Sequence, residues 1–408
     1  MARIAREGLN PKLARLILLI GFRNIMSDPL FRVIEGQYEQ FVRDLETIVN
    51  IDSSSDLLSG IEAVAAFFQK RLAALGFEIR IQHFGDAGVP CLEAVNKPGD
   101  DSFDVMFLGH MDTVFPPGEV AGRPFSISGN KAFGPGVCDM KGGLLVALHA
   151  LEALHAAGLL NSLNVCVGFN GDEEIGSPTS RPWIRSLAQK SRRVFVFEPC
   201  RPGYRFVLCR KGGGWFHVTA SGTAAHAGAD PHKGANAVVE LAHQVIAITG
   251  LNDPDTGTTA QVTVINGGDK INIIPALASA SVDIRIEKRA QKERVETFFK
   301  DLPGNITVPG VTVSVEGSID HPPMEPDSNT MALWEIIRKT AENVGIETDY
   351  IATGGYSDGN YTSAEGTPTI DGMGLVGSNS HRHDEYVELD AVVPMVRIVA
   401  GVCRAIIK

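Results

Sequence analysis

No apolar run in this chain approaches the ~20 uninterrupted residues that a membrane-spanning helix requires. The nearest candidate, Leu16-Ile17-Leu18-Leu19-Ile20-Gly21-Phe22, is short and crowded by Arg15 and Arg23. No small-residue cleavage site follows it, so it reads as an N-terminal amphipathic helix, or as an over-long start ahead of a natural first residue at Met26. Cysteine is scarce: Cys91, Cys138, Cys166, Cys200, Cys209 and Cys403 are scattered. They lack the density of a disulfide scaffold and the spacing of a structural zinc site. Reduced thiols in a cytoplasmic protein are the expectation, with periplasmic export left open. Basic residues are in deficit, 37 Lys+Arg against 48 Asp+Glu, and the formal charge of −11 argues against a phosphate-backbone partner. No membrane and no nucleic acid are therefore expected among its partners. Low-complexity tracts and internal repeats are also missing, which sets aside disordered and solenoid architectures.

What remains is a globular composition, 44% hydrophobic over 408 residues, long enough for two or three domains. Between residues 37 and 208, short apolar strands alternate with longer helical patterns. Residues 62–75 and 141–157 read as helices, and 103–109, 164–170 and 193–197 as strands. That alternation indicates an α/β layer with a largely parallel sheet. Residues 211–318 change rhythm to β-α-β-β-α-β, the order of a ferredoxin-like unit. Glycine-rich and proline-rich joints, Gly212-Gly213-Gly214 and Pro322-Pro323, bound it. A helix over 331–344 and a strand over 369–375 then resume the first rhythm. The expected organisation is an N-terminal extension (1–36), an α/β domain in two parts (37–210 and 321–408), and a domain inserted between them (211–320).

Four apolar strands run into residues able to hold a metal: His110-Met111-Asp112, Asp172-Glu173-Glu174, Glu198-Pro199, and, through a glycine-rich loop, His381-Arg382-His383-Asp384-Glu385. In an open α/β sheet the carboxyl ends of the strands form the functional crevice. Asp139 lies in a glycine-rich turn, residues 134–143, just ahead of a helix. Taken singly, each group has an ordinary role as a helix cap, an exposed acidic pair or a loop carboxylate. Their recurrence at strand ends points to a mixed nitrogen–oxygen metal site, with a bridging carboxylate suiting a metal pair. The 134–143 loop matches neither a P-loop nor a dinucleotide fingerprint, so nucleotide binding is set aside.

At these residues the sequence resembles the M20 metallopeptidases, in particular glutamate carboxypeptidases of the carboxypeptidase G2 type. The likeness is carried by His110-Met111-Asp112-Thr113-Val114, by Gly134-Pro135-Gly136 through Lys141-Gly142-Gly143, by Asp172-Glu173-Glu174-Ile175-Gly176-Ser177 and by Phe197-Glu198-Pro199. In the insertion it is carried by Ala225-His226-Ala227-Gly228, Asn272-Ile273-Ile274-Pro275-Ala276 and Asp283-Ile284-Arg285.

The resemblance implies a zinc-peptidase-like α/β catalytic domain with an inserted ferredoxin-like lid and dimerisation domain, and a homodimer. It implies two Zn2+ ions, with Co2+ or Mn2+ as substitutes, bridged by Asp139 and a water or hydroxide. His110 and Glu198 would complete one site, Glu174 and His381 the other, with His383 as the alternative to His381. Asp112 would orient His110, and Glu173 would be the general base for hydroxide attack on an amide. His226 would serve a partner subunit's oxyanion. Arg285 with Asn272 would grip a substrate carboxylate, and the loop containing Gly355 would border the substrate. Tyr356-Ser357 departs from the family's usual third glycine and threonine, which bears on side-chain specificity. The substrate implied is a small peptide or N-acyl amino acid losing a C-terminal glutamate or similar residue. An N-acyl-amino-acid deacylase of the acetylornithine or succinyl-diaminopimelate kind is the alternative. A catalytically silent scaffold on the same fold would have lost a ligand or the base, and here all are present.

Overall fold

A computed structural model describes residues 28–407. The apolar run at 16–22 and Met26 lie outside these residues. The chain divides into two compact units. One comprises the chain up to Leu208 with Pro326–Ile351 and Ser357–Lys408, the other Cys209–Glu325 with Ala352–Tyr356.

The first unit is built on a six-stranded sheet, ordered Glu78–Phe84, Val89–Val95, Val165–Asn170, Val105–His110, Val194–Val196, Thr369–Ile370. The last four strands are parallel to one another. Val105–His110 and Val165–Asn170 are buried along their whole length, as expected of central strands covered on both faces. The first two strands form an antiparallel hairpin that joins Val165–Asn170 antiparallel. The sheet is therefore largely parallel, as expected, with an antiparallel hairpin added at one edge. The hairpin eludes the reading of periodicity because Glu78–Phe84 is an edge strand that is half-exposed on both faces. The strand expected over 369–375 shortens to Thr369–Ile370, and the chain beyond runs as loop.

Helix Gly142–Ala156 is apolar on nearly every side and almost wholly buried. It packs against the C-terminal helix Val392–Ile406 and against Pro29–Gly36. The latter helix falls in the stretch set apart as an N-terminal extension. It is capped by Asp28, whose carboxylate accepts the Leu30 N–H at 3.0 Å, and it buries Leu30, Phe31 and Ile34.

The second unit has the β-α-β-β-α-β order. Its antiparallel sheet is arranged Thr259–Gly267, Leu277–Ile286, Gly212–Ser221, Thr312–His321. Leu277–Ile286 alternates strictly, turning Ala278, Ala280, Val282, Ile284 and Ile286 inward. Helices Ala237–Thr249 and Ala290–Asp301 supply the opposing apolar groups, with Phe299 stacked on Phe216 at 3.8 Å. Gly212-Gly213-Gly214 is not a joint: it opens the central strand. A Cβ on Gly213 would lie 1.9 Å from the Ile284 carbonyl oxygen, and one on Gly214 1.9 Å from that of Ser318. The glycines are there because two neighbouring backbones approach too closely for a side chain.

Among the described residues no helix is long and apolar enough to cross a membrane. All six cysteines are free thiols.

Candidate metal centre

Sheet register brings the first candidates together. His110 ends its strand opposite Asn170, the last residue of the parallel neighbour, so the chain emerging from each strand meets at one edge. Val194–Val196, on the other side of Val105–His110, delivers Glu198 to the same edge. The turn before Gly142–Ala156 adds Asp139, whose peptide bond to Met140 is cis. His110 Nε2 lies 3.2 Å from Asp139 Oδ1, 3.5 Å from Glu198 Oε1 and 4.0 Å from Glu173 Oε2. His381 Nε2 lies 3.4 Å from Asp139 Oδ2 and 3.0 Å from Glu174 Oε2. Each oxygen of Asp139 thus faces a different histidine.

Asp112 organises this cluster without entering it. The His110 Nδ1 is 2.9 Å from the Asp112 carbonyl oxygen and 3.4 Å from its carboxylate. A carbonyl oxygen only accepts, so Nδ1 carries the proton and Nε2 is the nitrogen left for a cation. The fully buried Asp112 carboxylate also accepts the backbone N–H groups of Glu173 (3.2 Å) and Glu174 (3.1 Å) and the Ser55 hydroxyl (2.7 Å). One residue therefore sets both the imidazole, through its backbone carbonyl, and the turn that carries the two glutamates, through its carboxylate.

The electrostatics are those of a site short of positive charge. Burial drives the Glu173 carboxyl well above the ordinary carboxylate range, and the neighbouring Glu198 adds to the effect. Burial and Asp139 push Glu174 up to about 7, and Glu198 rises for the same two reasons. Burial also pushes Asp139 upward, but hydrogen bonds to His110 and His381 outweigh it and hold that carboxyl well below the usual range. Hydrogen bonds to Asp139 and Glu174 raise His381 to about 10. Four largely buried carboxylates converge on two imidazoles, one buried and one half-exposed, an arrangement that costs free energy unless cations share it. Two donor groups, His110 with Glu173 and Glu198, and His110 with Asp139 and Glu174, each gather their atoms within 4.8 Å. Mixed imidazole and carboxylate donors of this kind fit divalent metal ions such as zinc.

Other acidic residues read as strand-end donors face elsewhere. Asp172 accepts the Thr179 and Ser180 N–H groups at 2.9 and 3.2 Å and the Ser180 hydroxyl at 2.5 Å, closing the turn after Glu174. His383 is exposed and meets Glu119 at 3.1 Å, apart from the cluster. Sequence reasoning passed over a buried network behind Glu173: Asp358 accepts from Ser177 at 2.5 Å and from Asn170 at 2.9 Å. Burial pushes Asp358 up to about 7. The adjoining Ser-Asp in the glycine-rich 353–359 loop was the available signal.

The remaining candidates belong to the second unit. His226 Nδ1 accepts the Gly228 and Ala229 N–H groups at 3.2 and 3.0 Å, so in the neutral ring the proton sits on Nε2. Asn272 is exposed, and its carbonyl accepts the Ala227 N–H at 2.9 Å. The Arg285 guanidinium is forked onto Asp283 through two 2.9 Å bonds and lies over the Tyr356 ring at 4.1 Å. The Gly355 carbonyl accepts from Arg210 at 3.2 Å. A Cβ on Gly355 would meet nothing closer than 3.9 Å, so no close backbone approach within the chain demands that glycine.

The family model described as Peptidase family M20/M25/M40 matches residues 106–405. Carboxypeptidase G2 of Pseudomonas sp. (strain RS-16) is 30% identical over 369 residues, covering 89% of this chain and 88% of that protein. Succinyl-diaminopimelate desuccinylase of Gluconobacter oxydans (strain 621H) is 29% identical over 345 residues, covering 80% and 88%. Among solved structures, aminopeptidase PepT from Bacillus cereus ATCC 10987 superposes with a TM-score of 0.74 at 22% identity, covering 91% of this chain and 99% of that one.

Proposed function

Because the chain belongs to peptidase family M20/M25/M40, and so is an enzyme acting on amide bonds, we propose that it is a di-zinc hydrolase of amides adjacent to a free carboxylate. The product released is a C-terminal glutamate or a similar amino acid. One observation carries the reading: the two oxygens of Asp139 face His110 and His381 separately, at 3.2 and 3.4 Å, within a surplus of buried carboxylates. His110, Glu198 and Asp139 would hold one cation, and Glu174, His381 and Asp139 the other. Cobalt or manganese suits the same donors.

When bound, a pair of such cations acidifies a shared water and polarises an amide carbonyl. The rest falls to the protein. Glu173 lies within reach of one donor group, but at 4.0 Å its Oε2 is farther from His110 Nε2 than Asp139 or Glu198, and its raised proton affinity suits a group that takes a proton from water and returns it to the leaving nitrogen. Asp112 keeps Glu173 and His110 in fixed relation. In a homodimer His226, protonated on Nε2, is a donor for the oxyanion that develops in the partner subunit's site. Arg285, a planar fork already oriented by Asp283 and Tyr356, receives the substrate carboxylate together with Asn272.

A homodimer through the second unit accords with its surface. Thr259–Gly267 is an edge strand with Val264 and Ile265 exposed, and the adjacent helix exposes Val238, Val239 and Ile246.

The desuccinylase relative, similar over much the same length, supports the alternative of an N-acyl-amino-acid deacylase. Rates on N-benzoyl-glutamate, N-acetyl-ornithine and N-succinyl-diaminopimelate, with zinc-loaded and chelated protein in parallel, separate the two. Preferential zinc-dependent release of glutamate is expected. Preference for either of the other compounds moves the protein to the deacylases, and no zinc-dependent cleavage of any of the three overturns the substrate proposal.

A further inference from the structure

We propose that Glu385 is a positioning residue of the metal centre, locking the backbone of Asp139 to the loop that carries His381. The inference rests on reading Asp139 and His381 as ligands, and its basis is strand register. Gly377–Ser378 pairs with Tyr386–Glu388, so residues 379–385 form the loop between them, and His381 sits on that loop. On its other side Tyr386–Glu388 pairs antiparallel with Lys131–Phe133, Tyr386 opposite Phe133. Glu385, one residue before Tyr386, is thereby set against the chain as it leaves Phe133 and turns through Gly134 and Gly136 towards Asp139. Both glycines have positive φ, 148° and 71°.

The Glu385 side chain is fully buried. Its Oε2 accepts the Gly136 N–H at 3.1 Å, and its Oε1 accepts those of Cys138 at 2.7 Å and Asp139 at 2.8 Å. Three backbone donors of one turn converge on one carboxylate, the intervening Val137 N–H being taken by the Gly134 carbonyl. Such charge-assisted bonds are roughly twice as strong as neutral ones and fix the turn in place. The same turn is tied from its far end by Lys141, whose buried ammonium donates to the Ile51 carbonyl at 2.7 Å. A carboxylate that faces two histidines tolerates only about 0.5 Å of drift before one of them loses its place. Glu385 therefore ties together two ligands far apart in sequence, the bridging aspartate and the histidine four residues before it.

The test measures zinc binding by the full chain, without reference to turnover. Metal-free protein is titrated with zinc against a chromogenic chelator, and bound zinc is counted by elemental analysis. Glu385→Ala removes all three acceptors. Glu385→Gln preserves shape but turns an amide NH2 towards an N–H donor, and Glu385→Asp restores the charge on a shorter arm. Melting of the metal-free forms shows whether each variant is folded. The wild type is expected to bind two zinc ions. Glu385→Gln is expected to lose roughly 10- to 100-fold in zinc affinity while remaining folded, as outer partners of metal ligands do when removed. Glu385→Ala is expected to lose at least as much, and Glu385→Asp less. Unchanged affinity and count in folded Glu385→Gln overturns the positioning role and leaves the ligand assignment standing. A wild type that binds no zinc overturns the ligand assignment, and the proposal with it.

Discussion

Glu173→Gln is the perturbation that most cleanly separates the proton-transfer role from metal binding. The swap is nearly isosteric. The turn that holds residue 173 is fixed through its backbone, whose N–H donates to Asp112 at 3.2 Å, so the side chain changes without moving its support. Its Oε2 lies 4.0 Å from His110 Nε2, farther than Asp139 or Glu198, so zinc content should persist. A positioned acid–base group contributes about 10²- to 10⁴-fold to rate. At ~1.36 kcal/mol per decade this is roughly 2.7–5.5 kcal/mol of barrier, which should appear in kcat and kcat/KM together. Stability should move the other way. Burial raises the folded-state pKa of Glu173, so ionising it destabilises the metal-free fold as pH rises. At pH 7 metal-free Glu173→Gln should therefore melt no lower than wild type. The assay is steady-state hydrolysis of N-benzoyl-glutamate, with zinc counted on the same samples and melting followed after chelation. Near-normal turnover with zinc retained would refute Glu173 as the base, and loss of zinc would show it to be a ligand instead.

His381→Ala should remove one of two bound zinc ions and abolish turnover, while His383→Ala, at an exposed residue paired with Glu119, should retain both, as elemental analysis would show. Gly143→Ala would set a Cβ 1.9 Å from the Phe197 carbonyl oxygen. Backbone cannot yield there as a side chain would, so a loss of about 1–3 kcal/mol in denaturant unfolding is expected, with weaker zinc binding through the adjoining Glu198. Asp44 gives a pH dependence of stability. Burial pushes its carboxyl up, but bonds from His149 (3.0 Å), Arg71 (2.7 Å) and Gln40 (2.7 Å) prevail and hold it below 3.8. Its contribution is present above that value and lost as pH falls through the lower folded pKa. Melting curves should show Asp44→Asn less stable at pH 7, with the deficit shrinking below pH 3.8.

Much of the architecture was legible because burial leaves a periodic trace. The runs ending at His110 and Asn170 are continuous and apolar because both faces are covered, and the insertion's order of elements follows from its alternation. The convergence of the candidate metal donors was legible because strand ends of such a sheet meet at one edge. Other features leave no such trace. Gly212-Gly213-Gly214 has the composition of a linker, and only the nearby Ile284 and Ser318 backbones reveal a central strand. Asp172 and Glu174 are equivalent as letters; the Thr179 and Ser180 amides claim one, and His381 meets the other. In the sequence Glu385 is only the last of a run of possible metal donors that begins at His381. Its acceptors' partners are backbone N–H groups nearly 250 positions away, which no side-chain pattern records.

The paired-cation site is tested most directly by adding zinc in measured equivalents to metal-free protein and following both bound metal and hydrolysis of N-benzoyl-glutamate. Activity should be absent without metal and reach its plateau at two zinc ions per chain. Full activity in the metal-free protein, or a plateau at one bound ion with no second site, would contradict it.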